Sequence, residues 1–241
     1  MKYFAIHHSL NRKIVGKIPH TKEIIYNCDV WDEPRFIDRM YFKKIEGTPI
    51  LSNAVLFPKA KTTDFINTYN VIGFTGSMLI SDKFKKVFEK FNLFGLQFFP
   101  TYIIQNNKKI EGYWQTHISE QGFKLLDFAK INFTYKKRFD GKVIYEEINN
   151  IKSLEDFLKC KKTSEWPIEL CFLNLVLKDE IFDFFLIPHY INGNGSGIVS
   201  EKLKIEIENQ GITGIEFRPI EISLNEWLMP GGEREKIYGK V

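Results

Sequence analysis

Apolar and polar residues alternate along many short stretches of the chain, and this alternation predicts β-strands. The stretches are rich in β-branched and aromatic residues, which favour strands. The predicted strands cover residues 3–7, 23–28, 35–45, 71–74, 109–117, 132–137, 142–147, 171–177 and 182–187. Outside the repeat described next, helical spacing is found at residues 62–67, 121–128, 153–160 and 224–228. Strands that outnumber helices and alternate irregularly with them predict an α+β fold with a largely antiparallel sheet.

One segment of the chain occurs twice, 119 residues apart. Residues 81–103 and 200–222 align without a gap and are identical at 8 of 23 positions. The identical pairs are Ser81/Ser200, Lys83/Lys202, Lys85/Lys204, Glu89/Glu208, Gly95/Gly214, Phe98/Phe217, Pro100/Pro219 and Ile103/Ile222. The repeat predicts two similar strand–helix–strand units, at about residues 73–104 and 190–222.

Each copy of the repeat carries the signals of a capped helix. Ser81 and Ser200 are N-cap residues, whose hydroxyl groups can accept a hydrogen bond from a backbone N–H. An acidic residue follows each serine and suits the positive end of the helix dipole. Asn92 and Gly211 occupy the same repeat position and tolerate the left-handed conformation that ends a helix. The two helices are therefore predicted with defined ends.

Three glycines in "NGNGSG", residues 192–197, precede the second helix and raise the question of a phosphate-binding loop. Such a loop needs its glycines directly at the helix N-terminus, so that backbone N–H groups converge on the anion. Ile198 and Val199 separate Gly197 from the N-cap residue. The GxGxG spacing matches neither the dinucleotide fingerprint nor the P-loop. We interpret the stretch as a turn and predict no cofactor.

The composition predicts a globular protein with an aromatic core. The chain has 241 residues, 22 of them Phe, and a net charge of +4 with no block of like charges. This balance does not favour a nucleic-acid partner. The three cysteines form no CxxC pair and are expected to be reduced thiols of a cytoplasmic protein. The N-terminus lacks the apolar core of a signal peptide, and no apolar stretch is free enough of charge to span a membrane.

The length fits a single domain over residues 1–241, either undivided or split into two sub-lobes at about 1–105 and 106–229. The last residues, 230–241, contain two adjacent glycines and five charged side chains. They are predicted to form a loosely ordered tail. The sequence carries no signal for an oligomeric state.

No catalytic or metal-binding arrangement is predicted. His7 and His8 are adjacent in a predicted strand and therefore point to opposite faces. Cys160, Cys171 and His189 have spacings that fit no known ligand module, so no metal site is expected. No GxSxG motif is present, and the sequence gives no reason to choose any particular pair of carboxylates.

Two segments have the composition of partner-binding loops. Trp31, Asp32, Glu33 and Arg35 surround a proline in a predicted loop, where binding residues often lie. Trp and Arg are also enriched at the energetic centres of protein interfaces. Trp166 marks a second candidate surface, in the segment 159–167. An ordinary loop with a packed tryptophan is the alternative for both segments.

The second repeat copy reads "IVSEKLKIEIENQGITGIEFRPI" over residues 198–220, and "GYWQTHISEQGFKLLDFAKINFTY" covers 112–135. These motifs resemble those of a large family of bacterial immunity proteins of polymorphic toxin systems, once catalogued as an uncharacterised myxobacterial-type domain. The resemblance extends from about residue 71 onward. It implies a protein that binds and blocks a cognate toxin protein made by the same cell. The family brings no catalytic residues.

The leading hypothesis is therefore an immunity protein that neutralises a toxin by steric occlusion and performs no reaction. Two alternatives belong to other classes. One is a small hydrolase or transferase with its site between the two repeat-bearing halves. The other is a structural interaction module of a larger secretion apparatus.

Overall fold

The computed structural model describes residues 2–68, 77–163, 167–179, 182–190 and 197–241. The strands are β1 Tyr3–His8, β2 Thr21–Tyr26, β3 Ser52–Leu56, β4 Phe65–Ile66, β5 Leu79–Ser81, β6 Leu96–Gln105, β7 Lys108–Ile118, β8 Phe133–Phe139, β9 Lys142–Ile148, β10 Ile168–Phe172, β11 Phe184–Phe185, β12 Ile198–Ser200 and β13 Ile215–Pro219. The helices are α1 Arg12–Val15, α2 Asp82–Phe88, α3 Leu154–Thr163, α4 Glu201–Asn209, α5 Leu224–Leu228 and α6 Glu233–Tyr238. Short 3₁₀ turns cover Ile37–Arg39, Gly122–Leu125 and Phe128–Lys130.

The strands form three sheets. A six-stranded sheet has the order β2-β3-β6-β7-β5-β4, a four-stranded sheet the order β11-β12-β1-β13, and a three-stranded sheet the order β10-β8-β9. Neighbouring strands in the described sheets run antiparallel, except that β3 and β6 are parallel. The fold is α+β with mostly antiparallel sheet, which confirms the predicted class.

The two repeat copies build the same four-stranded arrangement. The order β4-β5-β7-β6 in the larger sheet matches β11-β12-β1-β13 in the smaller one. Trp114 of β7 lies opposite Ile80 and Pro100, and Phe4 of β1 lies opposite the repeat counterparts of those residues. The first strand of the chain therefore completes the second copy, as in a circularly permuted duplication.

A lysine shared by the two copies has the same packing in each. The Lys85 ammonium nitrogen lies 4.4 Å from the ring centroid of Trp114, and that of Lys204 lies 5.2 Å from the ring centroid of Phe4. Each ammonium also lies over the shared phenylalanine of its own unit, at 5.6 Å and 5.7 Å. Attraction between the cation and the rings gives a physical reason for the lysine in both copies.

An aspartate joins the units to each other. The Ser81 hydroxyl caps α2 and donates a 2.6 Å hydrogen bond to Asp64. The second carboxylate oxygen of Asp64 accepts from the backbone N–H of Thr213, which follows α4, at 2.8 Å. Asp183 accepts from the Ser200 hydroxyl in the same way, at 2.6 Å. The two aspartates are again 119 residues apart, so the sequence repeat extends to residues before β5 and β12.

Apolar side chains fill the space where α2 and α4 meet. Phe84 and Phe88 of α2 are stacked at 4.6 Å between ring centroids, and they share one buried cluster with Leu203 and Ile207 of α4. A second buried cluster contains residues of the three-stranded sheet, of α3 and of the four-stranded sheet, and in it the Phe157 ring contacts those of Phe128, Phe133 and Phe172. Much of the high phenylalanine content is thus explained by the two clusters.

Several predicted elements differ from the structure. Residues 62–67 contain the short strand β4 and no helix, and 121–128 form 3₁₀ turns. Residues 35–45, predicted as a strand, are a loop with one 3₁₀ turn. Strand β3 and helix α1 were not predicted. The predicted strand at 71–74 and most of the glycine turn at 192–197 lie outside the described residues.

The predicted loose tail is a helix in the structure. Arg234 of α6 is 3% exposed and forms a 2.7 Å ion pair with Glu216 of β13. This contact holds the last helix on the four-stranded sheet. The division into two sub-lobes stays a prediction. Strand β1, from the first predicted sub-lobe, pairs with β12 and β13 of the second. In the described part of the chain, no helix has both the length and the apolar character that a membrane crossing needs.

Candidate partner-binding surface

The segment between β2 and β3, residues 27–51, covers one side of the six-stranded sheet. It contains a small apolar cluster in which Phe36, Ile37 and Ile45 are buried. Leu51 and Phe99 pack against this cluster. The cluster gives the segment a core of its own, although it has little regular secondary structure.

Side chains of the sheet hold this segment in place. The amide of Gln97 accepts from the backbone N–H of Ile45 at 2.9 Å and donates to the Ile45 carbonyl at 3.0 Å. The Nε2 atom of His117 lies 2.8 Å from the carbonyl oxygen of Lys43. Burial lowers the pKa of His117, so the ring is neutral at pH 7. His117 is therefore a positioning residue.

Trp31 stands out from this anchored segment, with 82% of its surface exposed. The Asp29 carboxylate accepts from the backbone N–H of Trp31 at 2.8 Å and from that of Asp32 at 3.3 Å. Such an Asx turn fixes the backbone on which the indole is carried. The position of Trp31 is thus determined by local hydrogen bonds, while its ring remains open to solvent.

Glu33 and Arg35 form the other half of the same turn. One carboxylate oxygen of Glu33 accepts from the Arg35 backbone N–H at 3.0 Å and from its Nε at 3.2 Å. These bonds, the backbone one foremost, lower the pKa of Glu33. We refer to Asp29, Trp31, Asp32, Glu33 and Arg35 together as the Trp31 surface. It combines one exposed indole with three carboxylates and one guanidinium group.

A shallow groove of about 270 Å³ lies next to the small apolar cluster. Leu51 and Phe99 belong to both. Asn53 donates to the Thr101 hydroxyl at 3.0 Å and accepts from the Asn27 amide at 2.7 Å, which fixes the polar groups of the groove. This groove could not be predicted from the sequence, because its residues are far apart in the chain and meet through the pairing of β3 with β6.

The structure brings Trp31, Asp32, Glu33 and Arg35 into one exposed turn, as the sequence predicted for a loop. Whether a partner binds there stays a prediction. Trp166, the second candidate, lies outside the described residues.

The remaining candidate groups have structural partners. His7 accepts a 3.0 Å hydrogen bond from the Nε of Arg218, and His8 stacks on Phe65 with 4.0 Å between ring centroids. The two histidines lie on opposite faces of β1, as expected. Across the described ranges, no three His, Cys, Asp or Glu side chains are close enough to hold a metal ion. The site between the two repeat-bearing halves that the hydrolase or transferase alternative requires stays a prediction. Where α2 and α4 meet, the described contacts include a buried apolar cluster and a 3.0 Å ion pair between Lys90 and Glu206.

Comparison with known proteins places the chain in no group. No protein-family model matches the sequence, and no curated protein matches it either.

Proposed function

We propose that the protein binds a cognate toxin and neutralises it by covering its active site. The observation that carries this proposal is the Trp31 surface. Trp31 is 82% exposed and available to a partner, and because hydrogen bonds fix the turn that carries it, little backbone entropy is lost on binding. Tryptophan is also the residue type most often found at the energetic centre of an interface.

The charge of the Trp31 surface suggests the chemistry of the partner. Three carboxylates surround the indole, and a single guanidinium group offsets them. A partner with a basic surface, such as a toxin whose active site binds phosphate groups, would be complementary. Opposite charges also speed the encounter of two proteins at low ionic strength.

The resemblance of residues 198–220 to immunity proteins supports the same function. The motif itself serves the scaffold here, since Ser200 caps α4 and Phe217 is buried in the core. Its residues are therefore expected to support the binding surface without touching the partner.

The proposal predicts that a gene for a toxin-like protein lies beside this one, and co-expression with that protein tests it. Wild-type protein is expected to restore growth and to bind the purified toxin domain. Trp31→Ala is expected to weaken that binding at least about tenfold, as for an interface hot spot. Ile205→Ala serves as the control, because Ile205 is 48% exposed on α4. Failure of the wild type to protect would overturn the function, and unchanged affinity of Trp31→Ala would exclude this surface.

A further inference from the structure

Strand β9 is a free edge with exposed apolar side chains. It is the outer strand of the three-stranded sheet, and among the described residues it pairs only with β8. Val143, Ile144 and Tyr145 are 45%, 53% and 52% exposed. Alternate residues of an edge strand direct unpaired N–H and C=O groups outward, so they can pair with another strand.

The hairpin holds this edge in a fixed register. Asp140 and Gly141 have φ angles of 46° and 73°, the positive values that a type I′ turn requires at both central residues. Phe139 then lies opposite Lys142, and the ladder continues without a shift to the pair of Phe133 and Ile148. β9 is thus presented as a regular strand.

The sequence of β9 is complementary to itself in the antiparallel direction. It begins with a base, Lys142, continues with three apolar residues and then with Glu146 and Glu147, and ends at Ile148. A two-fold axis perpendicular to the sheet keeps side chains on their own face, so only residues of the same face meet. An axis at Ile144 places Ile144 opposite its own copy, Val143 opposite Tyr145, and Lys142 opposite Glu146.

We propose that two copies of the chain pair through β9 in this register. The pairing joins two three-stranded sheets into one sheet with the order β10-β8-β9-β9-β8-β10. It covers the exposed apolar side chains of both copies and forms two Lys142–Glu146 contacts between them. Centring the axis on Tyr145 would instead place Val143 opposite Glu147 and Ile144 opposite Glu146, so apolar groups would meet carboxylates. This dimer does not depend on toxin binding, because the Trp31 surface belongs to the loop segment 27–51, which is held by side chains of the six-stranded sheet.

Sedimentation equilibrium tests the dimer. The wild-type protein is expected to be a dimer that dissociates on dilution. Ile144→Lys brings two ammonium groups together at the axis and is expected to raise the dimer dissociation constant at least about tenfold. Ile205→Lys, at an exposed isoleucine on α4, should leave it unchanged. A wild type that is monomeric at every concentration would overturn the proposal, as would equal effects of the two variants.

Exchange of the charges tests the register. Lys142→Glu opposes carboxylates at both ends of the pairing, and Glu146→Lys opposes ammonium groups, so each variant alone should dimerise at least about tenfold more weakly. A mixture of the two variants restores opposite charges at both ends and should form the heterodimer. Circular dichroism confirms that both variants are folded before mixing, since Glu146→Lys also removes the ion pair with Lys137 inside the hairpin. A mixture that stays monomeric would rule out this pairing.

A cysteine at the axis gives a covalent readout. Oxidised Ile144→Cys is expected to form a disulfide-linked dimer, because each new thiol faces its own copy. Val143→Cys faces Tyr145 of the second copy and should stay unlinked. The wild type, with its three native cysteines, is the control for other disulfides. A disulfide-linked dimer of Val143→Cys, with Ile144→Cys remaining unlinked, would contradict the register.

Discussion

At the scale of single residues, the contact between Glu216 and Arg234 shows how the chain ends are fixed. The two side chains are 1% and 3% exposed. The Glu216 carboxylate also accepts from the Ser9 hydroxyl at 2.9 Å and from the Leu10 backbone N–H at 2.8 Å. One buried carboxylate therefore joins the end of β1, strand β13 and helix α6, and its charge is matched by one guanidinium group.

Removing the guanidinium group should be costly. Arg234→Met leaves the Glu216 carboxylate buried without its counter-charge, and we expect the free energy of unfolding to fall by about 3–5 kcal/mol. Lys236→Met is the control on the same helix, because Lys236 pairs with Glu233 in solvent and should contribute less than about 1 kcal/mol. Urea denaturation of the two variants measures both changes. Similar losses of stability in Arg234→Met and Lys236→Met would contradict the expectation that the buried ion pair contributes more than the exposed one.

At the scale of elements, local signals were predicted well and long-range pairing was not. The helices of the repeat could be read from the sequence because the N-cap serines and the apolar spacing act within a few residues. Completion of the second copy by β1 could not be read, since the N-terminal strand pairs with residues 198–219, at the other end of the chain. The groove beside the small apolar cluster could not be predicted for the same reason, because its residues come from distant parts of the chain.

Residues 35–45 show why alternation alone misleads. Phe36, Ile37 and Ile45 are buried as in a strand, but within a small cluster of loop residues, and Tyr41 is 52% exposed. The backbone groups of Ile45 and Lys43 are satisfied by the side chains of Gln97 and His117, which replace a strand partner. The loop that carries Trp31 in the same segment was predicted because a proline and acidic residues mark a loop without any long-range information. The choice between a packed and an exposed Trp31 was left open by the sequence, and the structure has the side chain 82% exposed.

The glycine shared by the two copies gives a prediction at this scale. Gly214 has φ +86°, and a Cβ there would lie 2.5 Å from the Phe65 carbonyl oxygen. Gly214→Ala is expected to destabilise the fold by about 3 kcal/mol, from backbone strain plus the overlap. Gly47→Ala tests strain alone, because Gly47 has φ +89° and no atom within 4 Å of an added Cβ. It should cost about 1 kcal/mol. Urea denaturation measures both losses of stability. Equal losses for Gly214→Ala and Gly47→Ala would contradict the close approach of the β4 backbone to Gly214.

At the scale of the whole molecule, the histidines share one property. Burial lowers the pKa of all five, to about 4 for His7, about 3 for His8 and about 4 for His20. The ordinary value is about 6.5. The folded protein therefore keeps these rings neutral in a pH range where the unfolded chain binds protons.

This difference sets the direction of the pH dependence. Stability from a lowered histidine pKa is fully present above about pH 6.5 and is lost as the pH falls toward the folded-state value. Protonation of each of His7, His8 and His20 should lower the free energy of unfolding by about 1.4 kcal/mol for each unit by which the pH falls, between about pH 6 and about pH 4. Carboxylates whose pKa is lowered in the fold, such as Glu33, lose their contribution only as the pH falls past their ordinary value of about 4.3, so the histidines dominate the upper part of this range.

Thermal unfolding at about pH 7 and about pH 5 measures the effect, and we expect the melting temperature to fall on acidification. His8→Phe isolates one contribution. His8 stacks on Phe65, and its ring nitrogen Nδ1 is buried with no hydrogen-bond partner among the described residues, so phenylalanine should fit the site. The variant should lose less stability than the wild type over the same pH interval, by about 1.4 kcal/mol for each unit. An identical pH dependence in both proteins would mean that the His8 ring takes up its proton without unfolding, through water that reaches β1.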